Sequence, residues 1–420
     1  MCLWKSPRVI TLRDTVYLDG ESILWLNGMD TGNTLDHQMV SSPTPVPPPN
    51  HLLGHSDRDH GPRPTDNPTG LILTLNLTTP FRLDQNLTQL FGTLPKSTSS
   101  STIFNYIDGD LLGNDAQFFT YGGLTRRSDS FPDPDPDDVL EYQAYPYESN
   151  AASFKPGFVP EKLPPMSRAT SLMAPANVSD TLITLEFDPE AQNIEKWSNV
   201  TLPESVLGRA GASGVFVPAG KAGALVFVGG VTHPEFASKS HRSDNPAALK
   251  SDSEAFLKSI DVYDIESGNW YRQETSAPTL PPITALGCAV VQHAIDFSSF
   301  NIYYYGGYAA EDLQSNFHDD VWILTMPSFQ WIKAKSGSDA HARGHKCVSP
   351  YPDQMMAFGG FTPKLGTGID CVKGGVIQLL NLTSVEWMDA YSPADFAEYG
   401  VPEVPGCLGR VEQPGPPKRV

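Results

Sequence analysis

Short apolar runs separated by polar gaps recur along the chain, most legibly between residues 301 and 360. There NIYYYGG (301–307) is followed by DDVWILTMPSFQW (319–331) and RGHKCVSPYPDQMMAFGG (343–360). An apolar run stops on a Gly pair, a second short run follows a polar gap, and a Trp arrives about nine residues later. The runs are too short for helices and rich in Tyr, Val, Ile and Phe, so each predicts a strand. A Gly pair at a strand end marks backbone that needs positive φ or close approach.

Taken in order, the pattern predicts six units of four antiparallel strands, spanning approximately 8–94, 102–145, 150–200, 208–273, 284–334 and 343–390. A four-stranded sheet cannot bury both faces alone, so the units are expected to stack radially as the blades of one all-β, six-bladed propeller over residues 1–392. A Pro-rich tail occupies 393–420. The second unit is expected to open at Thr102–Ile107. The third is the weakest, with strands placed near Ala151–Phe158 and Lys162–Ser167 although no Gly pair marks them. Trp197, Trp270, Trp331 and Trp387 fall on outer strands, where packing between blades is the expected role.

Composition narrows the function classes. A net charge of -19 over 420 residues argues against nucleic acid or an anionic membrane surface as partner. No run of eighteen apolar residues occurs, so no membrane span is expected. Five sequons, at Asn76, Asn86, Asn177, Asn199 and Asn381, point to a glycosylated, secreted protein. Asn76 and Asn381 also share a strand-end LNLT turn, where Asn is favoured anyway. Residues 1–20 lack the basic-then-apolar pattern of a signal peptide, so secretion implies a leader outside this sequence. Of five cysteines, Cys347 with Cys371 is the pair selected for testing. No spacing calls for a metal or cofactor: His341 and His345 sit on a loop-to-strand segment, and Pro at alternate positions keeps DPDPDD (133–138) from curling round an ion.

The strings SDTLITLEFD, VYDIESGNWYRQ, SSFNIYYYGG, DDVWILTMPSFQWIK and GHKCVSPYPDQM resemble kelch repeats, and are similar to a fungal group of secreted kelch-type propellers. Within that group the resemblance implies the β-propeller hetero-Diels–Alderases of tropolone–sesquiterpenoid biosynthesis. The implied reaction joins a tropolone ortho-quinone methide to a humulene-type sesquiterpene, with those two small molecules as partners. The alternative is a non-catalytic propeller that binds protein or cell-wall glycan through its loop face.

Topology places a site without a motif. The long insertions (28–69, 124–137, 231–259, 308–319, 361–374) all follow second strands and should crowd one face. Inner strands begin on that face near Arg8, Arg209, Thr284 and Arg343. Three arginines round one mouth would make a positive funnel for an enolic ligand. Equally, each could bond to carbonyls of the next blade. The expectation is tropolone contact by Arg209, Arg343 and Lys346, proton transfer by His345, and walls from His233, Tyr308 and Phe361.

Overall fold

The computed structural model describes residues 3–5, 7–20, 22–24, 71–86, 89–98, 101–102, 109–121, 138–147, 154–162, 178–187, 195–238, 240–312, 314–337, 341–361, 375–404 and 418–419. The chain opens with β1 (Leu3–Lys5), β2 (Arg8–Leu12), β3 (Thr15–Asp19) and β4 (Ser22–Leu24). Next come β5 (Leu71–Asn76), β6 (Phe81–Arg82), β7 (Phe91–Pro95), β8 (Ser97–Thr98) and β9 (Ser101–Thr102). β10 (Asp110–Gly113), β11 (Gln117–Tyr121), β12 (Asp138–Gln143) and β13 (Gly157–Lys162) follow, then β14 (Thr181–Phe187) and β15 (Glu195–Thr201). After β16 (Ser213–Val217) and β17 (Ala224–Val228), helix α1 (Pro246–Lys258) leads into β18 (Ser259–Asp264) and β19 (Asn269–Glu274). The last third holds β20 (Cys288–His293), β21 (Phe300–Tyr305), β22 (Val321–Met326), β23 (Gln330–Lys335), β24 (Gly344–Tyr351) and β25 (Gln354–Phe361). It ends with β26 (Ile377–Asn381), β27 (Glu386–Met388), β28 (Ala390–Tyr391) and β29 (Lys418–Arg419).

Antiparallel pairing assembles five four-stranded blades: β2–β3–β5–β7, β10–β11–β12–β13, β16–β17–β18–β19, β20–β21–β22–β23 and β24–β25–β26–β27. The expected count of six is corrected to five. Gly157–Lys162, which overlaps both strands assigned to the third unit, is instead the outer strand of the second blade, in register Gln143↔Gly157 to Asp138↔Lys162. That leaves only the two-stranded β14–β15 sheet in the third position among the described residues. The inner strand of the second blade is β10, not Thr102–Ile107, of which 103–107 lie outside the described residues.

Inner strands stand side by side round an axis: β10 by β2, β2 by β24, β24 by β20, and β20 by β16. The β20–β23 blade shows why the sequence reads as it does. Its middle strands β21 and β22 are buried at every position, because a blade lies on each face, and so they are continuous apolar runs. The Gly pair after β21 is required by close approach. Gly306 and Gly307 adopt φ of 74° and 81°. A Cβ there would stand 2.2 Å from His345 Cε1 and 2.2 Å from Thr284 Cγ2 respectively.

The seam is cross-stitched. β1 pairs with β25 (Trp4↔Gly360) and carries β4 on its other edge. In return β28 leaves the sixth unit to pair with β6 (Tyr391↔Phe81), and the Tyr391 hydroxyl donates to the Leu77 carbonyl at 2.7 Å. Residues 393–404 lie against the β20–β23 and β24–β27 blades, where Asn301 Nδ2 donates to the buried Tyr399 hydroxyl at 2.9 Å. β29 adds a fifth strand to β19. No described helix is long and apolar enough to cross a membrane.

Candidate functional site

The arginines that open inner strands face inward to the blades. Arg8 is buried and ion-paired with Asp19, whose carboxylate also meets Lys96. The two cations and burial oppose each other at Asp19, and the net effect lowers its pKa. Arg209 pairs with buried Asp261, which also accepts from Arg272 Nε at 2.8 Å, and its guanidinium lies 3.7 Å over the Phe256 ring. Arg343, also buried, donates to the carbonyls of Gly359, Gly375 and His341. The positive funnel is therefore corrected: blade carboxylates and carbonyls engage these guanidinium groups, since an unpaired charge could not be buried there.

The remaining expected residues divide in the same way. Thr284 is buried, with its hydroxyl donating to the Pro282 carbonyl at 2.8 Å. Tyr308 is buried, stacks on Phe317 with ring centroids 4.5 Å apart, and donates to Glu235 Oε1 at 2.8 Å. His233 sits at φ 51° and bonds through Nδ1 to Asp244 at 2.8 Å. Phe361 ends β25 opposite Gly344. The insertions 231–259 and 308–319 do share one face, joined by an Arg242↔Asp312 bridge and a 2.8 Å bond from Glu235 N to the Ala310 carbonyl. Insertions 28–69 and 124–137 lie outside the described residues, as does 362–374 of the last one.

His345 is buried, with Nδ1 3.1 Å from the Arg343 carbonyl and Nε2 3.1 Å from Cys288 Sγ. Burial first, and then the Arg343 charge, pushes its pKa down to about 3, so the ring is neutral at physiological pH. With both nitrogens engaged it is poorly placed for proton transfer. The disulfide beside it joins Cys288 to Cys347 with Cα atoms 5.6 Å apart. This corrects the Cys347–Cys371 pairing: β20 and β24 are adjacent inner strands, a juxtaposition sequence spacing does not reveal. Cys371 lies outside the described residues.

One cavity collects the rest. Beside β10, β14 and β16, a space of about 700 Å³ is walled by Leu112, Tyr121, Ile183, Leu225, Phe227 and Trp270. Arg209, His345 and Lys346 border it. Lys346, about a third exposed, faces Asp110 with Nζ 3.6 Å from Oδ1. The pair links the inner strands of the sixth and second units. Tyr121 and Trp270 were missed as wall residues because they were read only as strand positions, and Asp110 because the inner strand was placed at Thr102–Ile107. No group of three or more candidate metal ligands occurs among the described residues.

Of the sequons, Asn86 and Asn199 are exposed. Asn76 is exposed but accepts from Thr78 N at 2.8 Å, and Asn381 accepts from Ser384 N at 2.8 Å. Both are turn-forming side chains. Asn177 lies outside the described residues.

No family model matches the chain. It is 37% identical over 140 residues to a kelch repeat-containing protein of Arthroderma benhamiae (strain ATCC MYA-4681 / CBS 112371). That alignment spans 32% of this chain and 20% of the fungal protein. The solved structure of YjhT matches over 92% of this chain and 97% of its own, with 13% identity and a TM-score of 0.50, a likeness of fold alone. Architecture and sequence similarity together support a kelch-type β-propeller.

Proposed function

We propose that the chain is a hetero-Diels–Alderase whose reaction takes place in the cavity beside Lys346. The observation that supports this reading best is the cavity itself: about 700 Å³, largely apolar, with a cation and a carboxylate facing each other at one side. Ligand sites fall between about 300 and 1,000 Å³ and combine apolar walls with a few polar groups.

A hydroxymethyl-tropolone gives up its ring-hydroxyl proton and its side-chain hydroxide as water, leaving an ortho-quinone methide. A terpene alkene then adds across it, forming one C–C and one C–O bond. Loss of water is favoured where a donor meets the tropolone oxygens and an acceptor takes the ring proton. Lys346 supplies the first and Asp110 the second. The addition needs two apolar partners held in one orientation, which Leu112, Tyr121, Phe227 and Trp270 supply by shape. Arg209 and His345 border the same cavity, and His345 Nε2 meets Cys288 Sγ on the neighbouring inner strand at 3.1 Å.

Purified protein with a hydroxymethyl-tropolone precursor and humulenol should form adduct faster and more selectively than buffer. Lys346→Met should lower that rate about tenfold or more, with unchanged thermal stability. Adduct formed no faster than in buffer ends the pericyclase reading and leaves a binding propeller. The Cys288–Cys347 disulfide and exposed Asn86 and Asn199 support secretion. Material from a fungal host should shift in mobility on endoglycosidase treatment; no shift returns the sequons to chance.

A further inference from the structure

A second recess lies at the outer edge of the β24–β27 blade. β27 pairs with β26 only as far as Leu379↔Met388. Beyond that the chain peels away to form β28 on β6, and the Gln378 position of β26 loses its outer neighbour. The opening is a notch of about 460 Å³. Gln378 forms its floor, Trp387 and His341 one wall, and Arg82, Asp84 and Asp389 the other.

The notch holds a buried donor in need of an acceptor. Gln378 is 2% exposed. Its Oε1 accepts from the Tyr305 hydroxyl at 2.8 Å, while its Nε2 has no hydrogen-bond partner among the described residues. Asp84 is held by Arg82 through Nε at 2.9 Å and Nη2 at 3.1 Å, and each carboxylate oxygen keeps a second lone pair. Asp389 is exposed, its backbone carbonyl fixed by Leu83 N at 2.9 Å. His341 stacks on Trp387 with centroids 4.5 Å apart, holding the indole in place.

We infer that this notch binds a neutral saccharide. A pyranose offers hydroxyl donors to two carboxylates, an oxygen acceptor to the Gln378 amide, and a C–H face to the indole and to Leu379 and Met388. Two carboxylates against one already paired arginine disfavour an anionic ligand. The notch shares no lining residue with the Lys346 cavity.

Laminaribiose, chitobiose, mannobiose and methyl β-glucoside should be titrated separately into the whole protein, read by calorimetry and by Trp fluorescence. At least one should bind saturably. Asp84→Ala and Asp389→Asn, both at exposed positions, should each weaken it about tenfold, the value of a hydrogen bond to a charged group. Gln378→Leu should abolish binding, with Tm measured alongside because Tyr305 loses a partner. Lys346→Met should leave binding unchanged. Absence of saturable binding by all four probes up to their solubility overturns the inference. So does binding that Asp84→Ala and Asp389→Asn leave intact.

Discussion

The β20–β23 blade and the β14–β15 sheet contain similar strings, DDVWILTMPSFQW and SDTLITLEFD…KW, yet they end differently. In the β20–β23 blade the indole of Trp331 is 1% exposed and donates Nε1 to the Leu257 carbonyl at 3.0 Å. In the two-stranded sheet, Trp197 is half-buried against Phe119 and Tyr121, and Val200 is 58% exposed. A four-stranded blade covers its neighbours, and Trp331 finds its polar partner in helix α1. The two-stranded sheet borders the large cavity instead. Closure of the sheet, rather than the local string, decides whether a repeat builds core or builds a site.

Trp331→Ala should give the largest effect, towards the upper end of about 3–5 kcal/mol, because the blade cannot collapse into the void. Trp197→Ala should cost about 2 kcal/mol, the worth of a partly buried side chain. Chemical denaturation of the two variants makes the comparison, and equal losses would break it. Reducing the Cys288–Cys347 bridge, with a sequence separation of 59, should remove about 4 kcal/mol. Unfolding with and without a dithiol measures this; a loss under about 1 kcal/mol would mean that the β20–β23 and β24–β27 blades hold without it.

Acid stability gives a further test. An ordinary histidine titrates near 6.5, whereas His345 is pushed to about 3, so below 6.5 the unfolded chain takes up a proton that the folded chain refuses. Stability is therefore complete above that range and falls as pH drops towards 3, by at most about 1.4 kcal/mol per pH unit. Burial lowers the pKa of His318 and His341 too, and they act in the same direction. Urea melts between pH 7.5 and 4.5 should show this slope, and His345→Gln should flatten it.

The repeat was legible because both of its marks are local: the Gly pair that lets Thr284 and His345 approach, and the apolar runs that two-sided burial demands. The third unit was not, since Gly157–Lys162 carries no signal separating an outer strand from an inner one. The arginine positions could be read, but their partners could not. Asp261 lies 52 residues from Arg209, and only the return of β18 through the blade brings it there. Cys288 and Cys347 meet for a similar reason, across two blades rather than along one. Lys346 could be read as a cavity residue by its place after Arg343, whereas Asp110 depended on which strand is innermost.

The exchange of strands at the seam has a mechanical consequence. With β1 lying on β25 and β28 lying on β6, each end of the ring is latched onto a strand from the other. A force that prised the first and last blades apart would have to tear both latches at once, so fraying cannot start at either terminus alone.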